Sequence, residues 1–92
     1  MIGYAECECI IYDANSLKEK RAVLQSVITR LKQRFNISVA EVDYQDTWQR
    51  TKIAIVTVSS SRRQSELELN NALNFIDSFP ELDRTITEYE WL

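Results

Sequence analysis

IGYAECECIIYDANSLKE, residues 2–19, changes from one hydrophobic period to another part-way along. From Ile2 to Tyr12 the period is two. Ala5, Cys7, Cys9 and Ile11 fall on one side and Tyr4, Glu6, Glu8 and Tyr12 on the other, which predicts a half-buried strand. Asp13, Ala14 and Asn15 break the alternation. Ser16-Leu17-Lys18-Glu19 then reads as a capping box, with Ser16 accepting from the backbone N–H of Glu19 while Glu19 reaches back. A helix starts there. Leu17, Leu24, Val27, Ile28, Leu31 and Phe35 recur at helical steps, with Lys18, Gln25, Thr29 and Lys32 off the stripe. Asn36 tolerates the left-handed conformation and suits the position after the last turn.

Outward from this unit, Ile37 to Tyr44 and Lys52 to Ser60 are rich in β-branched residues. The short polar segment Gln45-Asp46-Thr47-Trp48-Gln49 joins them as a hairpin. The helical period returns from about Arg62 to Phe79, through Leu69, Ala72, Leu73 and Ile76, and Pro80 stops it. A last strand covers Thr85 to Trp91. The order βαββαβ predicts an α+β, ferredoxin-like sandwich. Its four-stranded antiparallel sheet has strand order 4-1-3-2 and both helices on one face. With 92 residues, 45% of them hydrophobic, one core and one domain, 1–92, account for the whole chain.

Composition narrows the function classes. Fourteen acids against eleven cations give a formal charge of −3, so the chain is not globally basic; a local basic patch remains open. Histidine is absent, which removes the commonest general base and metal ligand, and no nucleophile–base pair is recognisable. No apolar run approaches the roughly 18 residues of a membrane span. The N-terminus carries acids and no Lys or Arg, unlike a signal or transit peptide. A soluble cytoplasmic protein with no membrane partner is expected. Cys7 and Cys9, two apart on a strand, lie about 6.6 Å from each other, against Cβ atoms about 3.8 Å apart in a disulfide. They are expected as buried thiols, since a Zn²⁺ site needs further ligands that the chain lacks. Glu41, Asp43 and Asp46 are the acids a Mg²⁺ would take, but one polar face on an edge strand explains Glu41 and Asp43. No metal and no cofactor is expected.

Two ends of the predicted fold hold candidate binding residues. At the upper end the topology brings Lys18, Lys20 and Arg21 of the first helix next to Asp46, Trp48, Gln49 and Arg50 of the hairpin. Cations in a first helical turn oppose the helix dipole, and an indole at a hairpin tip has no evident core to enter. Basic groups beside an aromatic suit phosphate contact and base stacking. The alternative is a solvated helix face with Trp48 as a lid over the core. At the lower end Ser60, Ser61, Arg62 and Arg63 open the second helix, near Arg30 and Arg34. They are a secondary anion site or, more simply, a helix cap. The sheet face away from the helices, with Tyr4, Glu6, Glu8 and Tyr12, repels phosphate. It suits self-association or plain exposure to solvent.

Three segments also carry a family resemblance: SLKEKR at 16–21, RFNISVAEV at 34–42 and DYQDTWQR at 43–50. In this order and spacing they closely resemble the YlxP-like family of small bacterial proteins (domain of unknown function 503), over nearly the whole chain. Cys7 and Cys9 depart from it, standing where the family usually has larger aliphatics. The resemblance implies a ferredoxin-like fold and a bacterial cytoplasmic protein, often encoded among translation-initiation and ribosome-maturation genes. It brings no established activity. An acylphosphatase-like enzyme shares the fold and size, but Asp13-Ala14-Asn15-Ser16 replaces its Gly-rich phosphate loop. The expectation is a non-enzymatic accessory factor that contacts RNA or a ribonucleoprotein, with ribosomal RNA or the small ribosomal subunit as partner. The alternative is a homodimeric module for a small anionic ligand. Any self-association is expected to give a symmetric dimer through the open sheet face or an edge strand.

Overall fold

The computed structural model describes residues 1–92. Its elements run β1 Ile2–Ile10, α1 Leu17–Arg34, β2 Ser38–Asp43, β3 Arg50–Val58, α2 Arg62–Asp77 and β4 Asp83–Trp91. The sheet is antiparallel with order β2-β3-β1-β4, which is the predicted 4-1-3-2 read from the other edge. Ala5, Cys7, Cys9 and Ile11 enter the core with Ile53 and Ile55 of β3, under Leu24, Val27 and Leu31 of α1 and Leu69, Leu73 and Ile76 of α2. The predicted alternation of β1 thus holds. No helix is long and apolar enough to cross a membrane.

Element boundaries differ from expectation where side chains close the chain locally. Ser16 caps α1, its Oγ accepting from Glu19 N at 3.1 Å, but the Glu19 carboxylate takes the Asn15 N–H at 2.6 Å, one residue outside the cap. Asn36 does not adopt a left-handed conformation. Phe35 turns out extended at the helix end, and Asn36 is held by its N–H on Glu68 Oε1 and its Nδ2 on Val58 O. The one positive-φ residue outside glycine is Tyr44, at 61°. α2 stops at Asp77, where Ser78 Oγ donates to Phe75 O at 2.6 Å and Phe79 turns into the core before Pro80. Only glycine fits position 3, because a Cβ there would stand 2.6 Å from the Trp91 ring.

Both edge strands are irregular. Between Glu41 and Asp43 the register of β2 on β3 slips. Glu41 pairs with Ile53 and so faces the helices, whereas Asp43 pairs with Lys52, which faces away. The expected single polar face is therefore split by a bulge, a common device at sheet edges.

Candidate functional site

The loop before α1, the β2–β3 hairpin and the turn between α2 and β4 meet at the upper end. Ile11 N donates to Gln49 O at 2.9 Å, Gln49 Nε2 donates to Tyr12 O and Ala14 O, and Tyr12 Oη donates to Asp83. Gln49 is thereby a structural tie between the hairpin and the loop before α1.

The cations placed at this end do not share one surface. Lys20 is fully buried, which corrects its place in the contact patch. Its position explains why: Leu17, Lys20, Leu24, Val27 and Leu31 step by three and four, so Lys20 occupies the inward stripe of α1. Its Nζ reaches Glu41 Oε2 at 3.0 Å and donates to the Tyr44 carbonyl, while Thr51 Oγ1 donates to Glu41 Oε2 at 2.6 Å. The buried charge is thus paired and hydrogen-bonded, as burial demands. It fastens α1 to β2 and to the left-handed turn at Tyr44.

Arg50 leaves on the opposite side. It follows Lys52 on the open sheet face, contacts Glu8 Oε1 at 2.7 Å and lies 4.1 Å from the Tyr44 ring centroid. The Tyr44 hydroxyl and the Arg50 guanidinium hold the Glu8 carboxyl below its ordinary range. Arg50 is accordingly neutralised where it stands. Lys18 and Arg21 remain on the outer surface of α1, with Arg21 4.0 Å from Asp46 in a solvated pair. Trp48 is 52% exposed and stands outside the core cluster, so it is no lid.

At the lower end the cap reading describes the residues. Ser61 Oγ accepts from Gln64 N, Arg62 pairs with Glu66 and lies over Trp91, and Ser60 and Arg63 are exposed. The neighbouring Ser59 hydroxyl is spent on Ser61 O and Ser65. The open sheet face is acidic. Glu6 stands opposite Glu88, and Tyr4 opposite Glu90, with Lys52 3.9 Å from Glu6.

A stronger feature lies between the two ends. α1 holds six of the chain's eleven cations and one of its fourteen acids. Outside α1, Arg50, Lys52, Arg62 and Arg84 each pair with an acid, leaving Arg63. On α1, Lys18, Arg30, Lys32 and Arg34 have no ion-pair partner, and all are exposed. Arg30 and Arg34 lie over Phe79 and Phe75, at 5.6 and 5.0 Å from the ring centroids, which steadies their guanidinium groups at the surface. With Gln33 and Phe75 they line a shallow depression. The acids nearest on α2 are engaged elsewhere, Glu68 with the Asn36 N–H and Asp77 with Arg84. Neither end of the fold displays this surface by itself; the charge count of residues 17–34 is the sequence signal that marks it.

Comparison with known proteins agrees with the resemblance. The "Uncharacterized protein YlxP" of Bacillus subtilis (strain 168) is 66% identical over 91 residues, covering 99% of both chains. Residues 2–89 match the family described as "Protein of unknown function (DUF503)". Buried Lys20 and its partners Glu41 and Tyr44 all lie in the three segments that carry the likeness, and the chain belongs to this family.

Proposed function

We propose that the protein is a non-enzymatic accessory factor that contacts RNA within a ribonucleoprotein, the small ribosomal subunit being the expected particle. The contact surface is the outer face of α1, with Trp48 beyond its N-terminal end. One observation carries this reading: on a chain of net charge −3, the cations free of acidic partners concentrate on one helix. Free cations bind phosphate by releasing counterions, and net negative charge elsewhere keeps the molecule from coating nucleic acid indiscriminately. Ser59, Ser61 and Arg62 at the lower end are engaged within the chain, which favours this reading over a module for a small anion there.

Co-sedimentation with ribosomal subunits across a salt series tests it. Five exposed α1 cations, Lys18, Arg21, Arg30, Lys32 and Arg34, set an upper slope of about −3.5 to −4.5 in log K against log salt. Between about 50 and 200 mM salt, affinity should then fall by up to roughly a few hundredfold. Trp48→Ala should weaken binding and leave the thermal midpoint nearly unchanged. Sedimentation indifferent to both salt and the α1 charges refutes the proposal.

A further inference from the structure

We infer that α1 recognises RNA as an A-form duplex, laying its outer face across the minor groove; this deepens the RNA reading above and rests on it. The exposed residues of the helix fall into three blocks. Lys18 and Arg21, with the exposed Glu19 between them, put cations at the N-terminal end; at the C-terminal end Lys32 shares their side of the helix, while Arg30 and Arg34, about half a turn away, lie on the flank towards α2. Ala22, Gln25, Ser26 and Thr29, all exposed, separate them with no charge at all. At 1.5 Å per residue the inner edges of the clusters, Arg21 and Arg30, lie about 14 Å apart along the axis, and the outer edges about 24 Å. Such a surface offers phosphate contacts at both ends and small hydrogen-bonding side chains between. That inventory matches a groove whose rims are phosphates and whose floor displays 2′-hydroxyls.

The surroundings of α1 favour this geometry over the other nucleic-acid geometries. It lies beside α2, its Arg30 and Arg34 resting on Phe79 and Phe75, so that flank of the helix is covered. A B-DNA major groove, about 8.5 Å deep, requires a helix that protrudes. The A-form minor groove is wide and shallow. Single strands need aromatic faces along a cationic groove. The sheet face on which this topology would stack bases instead carries Glu6, Glu8, Glu88 and Glu90. The outer face of α1 has no aromatic residue, and the rings nearest it are covered by its own arginines.

Fluorescence anisotropy with three labelled probes of one sequence tests the inference: a blunt RNA duplex of about 20 base pairs, its single strand, and the corresponding DNA duplex. A blunt duplex leaves no unpaired base to stack on Trp48. The RNA duplex should bind at least about tenfold more tightly than either other probe. Arg30→Gln/Lys32→Gln/Arg34→Gln should remove at least about tenfold of that affinity. Lys18→Gln/Lys32→Gln, whose side chains rest on no ring, should act in the same direction and guards against an effect of lost packing. Gln25→Ala/Thr29→Ala should narrow the gap between RNA and DNA duplexes. If the single strand or the DNA duplex binds as tightly as the RNA duplex and the α1 variants still weaken it, the duplex assignment falls and the RNA or nucleic-acid reading stands. If no probe binds, or the α1 variants leave binding unchanged, the underlying reading falls with it.

Discussion

Lys20→Met removes one charge from the buried network and keeps most of the side-chain volume. In the folded chain Lys20 is 0% exposed, Glu41 retains 17% exposure, and Thr51 stays bonded to the Glu41 carboxylate. Breaking a buried pair from one side costs about 3–5 kcal/mol, because the remaining charge loses its compensation. Partial exposure of Glu41 and its surviving hydrogen bond put the expected loss near the low end, about 3 kcal/mol. For a domain of this size that is a large part of a total of roughly 5–14 kcal/mol. It corresponds to a fall in midpoint of about 12–24 °C. Urea unfolding followed by tryptophan fluorescence measures it. Lys20→Met/Glu41→Leu should recover most of the loss, since an apolar replacement of a whole buried pair is often neutral. Arg21→Ala, one residue away but in a solvated pair, should shift stability by less than about 0.5 kcal/mol. A Lys20→Met variant as stable as Arg21→Ala refutes the buried network and returns Lys20 to the surface.

Cys7 and Cys9 are 1% and 0% exposed, and the hydrogen bond with the Cys7 thiol together with burial pushes the Cys9 thiol up; shielded in the core, both should resist alkylation in the native state and react fast in denaturant. Fast native labelling contradicts the packing of β1. Acid should unfold the protein partly through Asp77 and Glu8. Arg84 holds the Asp77 carboxyl below its ordinary range by two hydrogen bonds, and Tyr44 and Arg50 do so for Glu8. A carboxyl whose folded pKa is depressed stabilises above its unfolded pKa and loses that contribution as pH falls through the folded value. The urea midpoint should therefore decline below about pH 4. Asp77→Asn should make that decline shallower, and an unchanged acid limb excludes the Arg84 pair as its cause.

The architecture was legible because its determinants are local. Alternation in β1, the capping box at Ser16 and Pro80 after α2 each declare an element within a few residues, and βαββαβ leaves few topologies. The site was legible only in part, because direction on a surface is set by register. Lys20 sits three residues after Leu17 and four before Leu24, a spacing that marks it as inward. A lysine at that step is assigned to solvent by chemistry unless a partner such as Glu41 is known. That partner was hidden in turn: Glu41 keeps the helix-facing phase of Val39, and the bulge turns only Asp43 to the open face, where strict alternation would keep the two acids together. Arg50 depends on the same hairpin, whose register with β1 places it beside Glu8.

What survives these reassignments is a charge arrangement that folding does not require. Cations in the first turn of α1 oppose its dipole, at roughly a few tenths of a kcal/mol each. Glu6 directly opposite Glu88 is an unfavourable cross-strand pair. Mixing the two signs would relieve both. Instead the free cations gather on α1, and Glu6, Glu8, Glu88 and Glu90 share the sheet face on the far side of the molecule. Local choices that conflict with stability mark places where a sequence answers to something besides its own fold. Here the segregation is what the proposed contact with a polyanion calls for. Under the proposed RNA contact, α1 would face the phosphates and the acidic sheet, with Tyr4, Glu88 and Glu90, would be turned away from them.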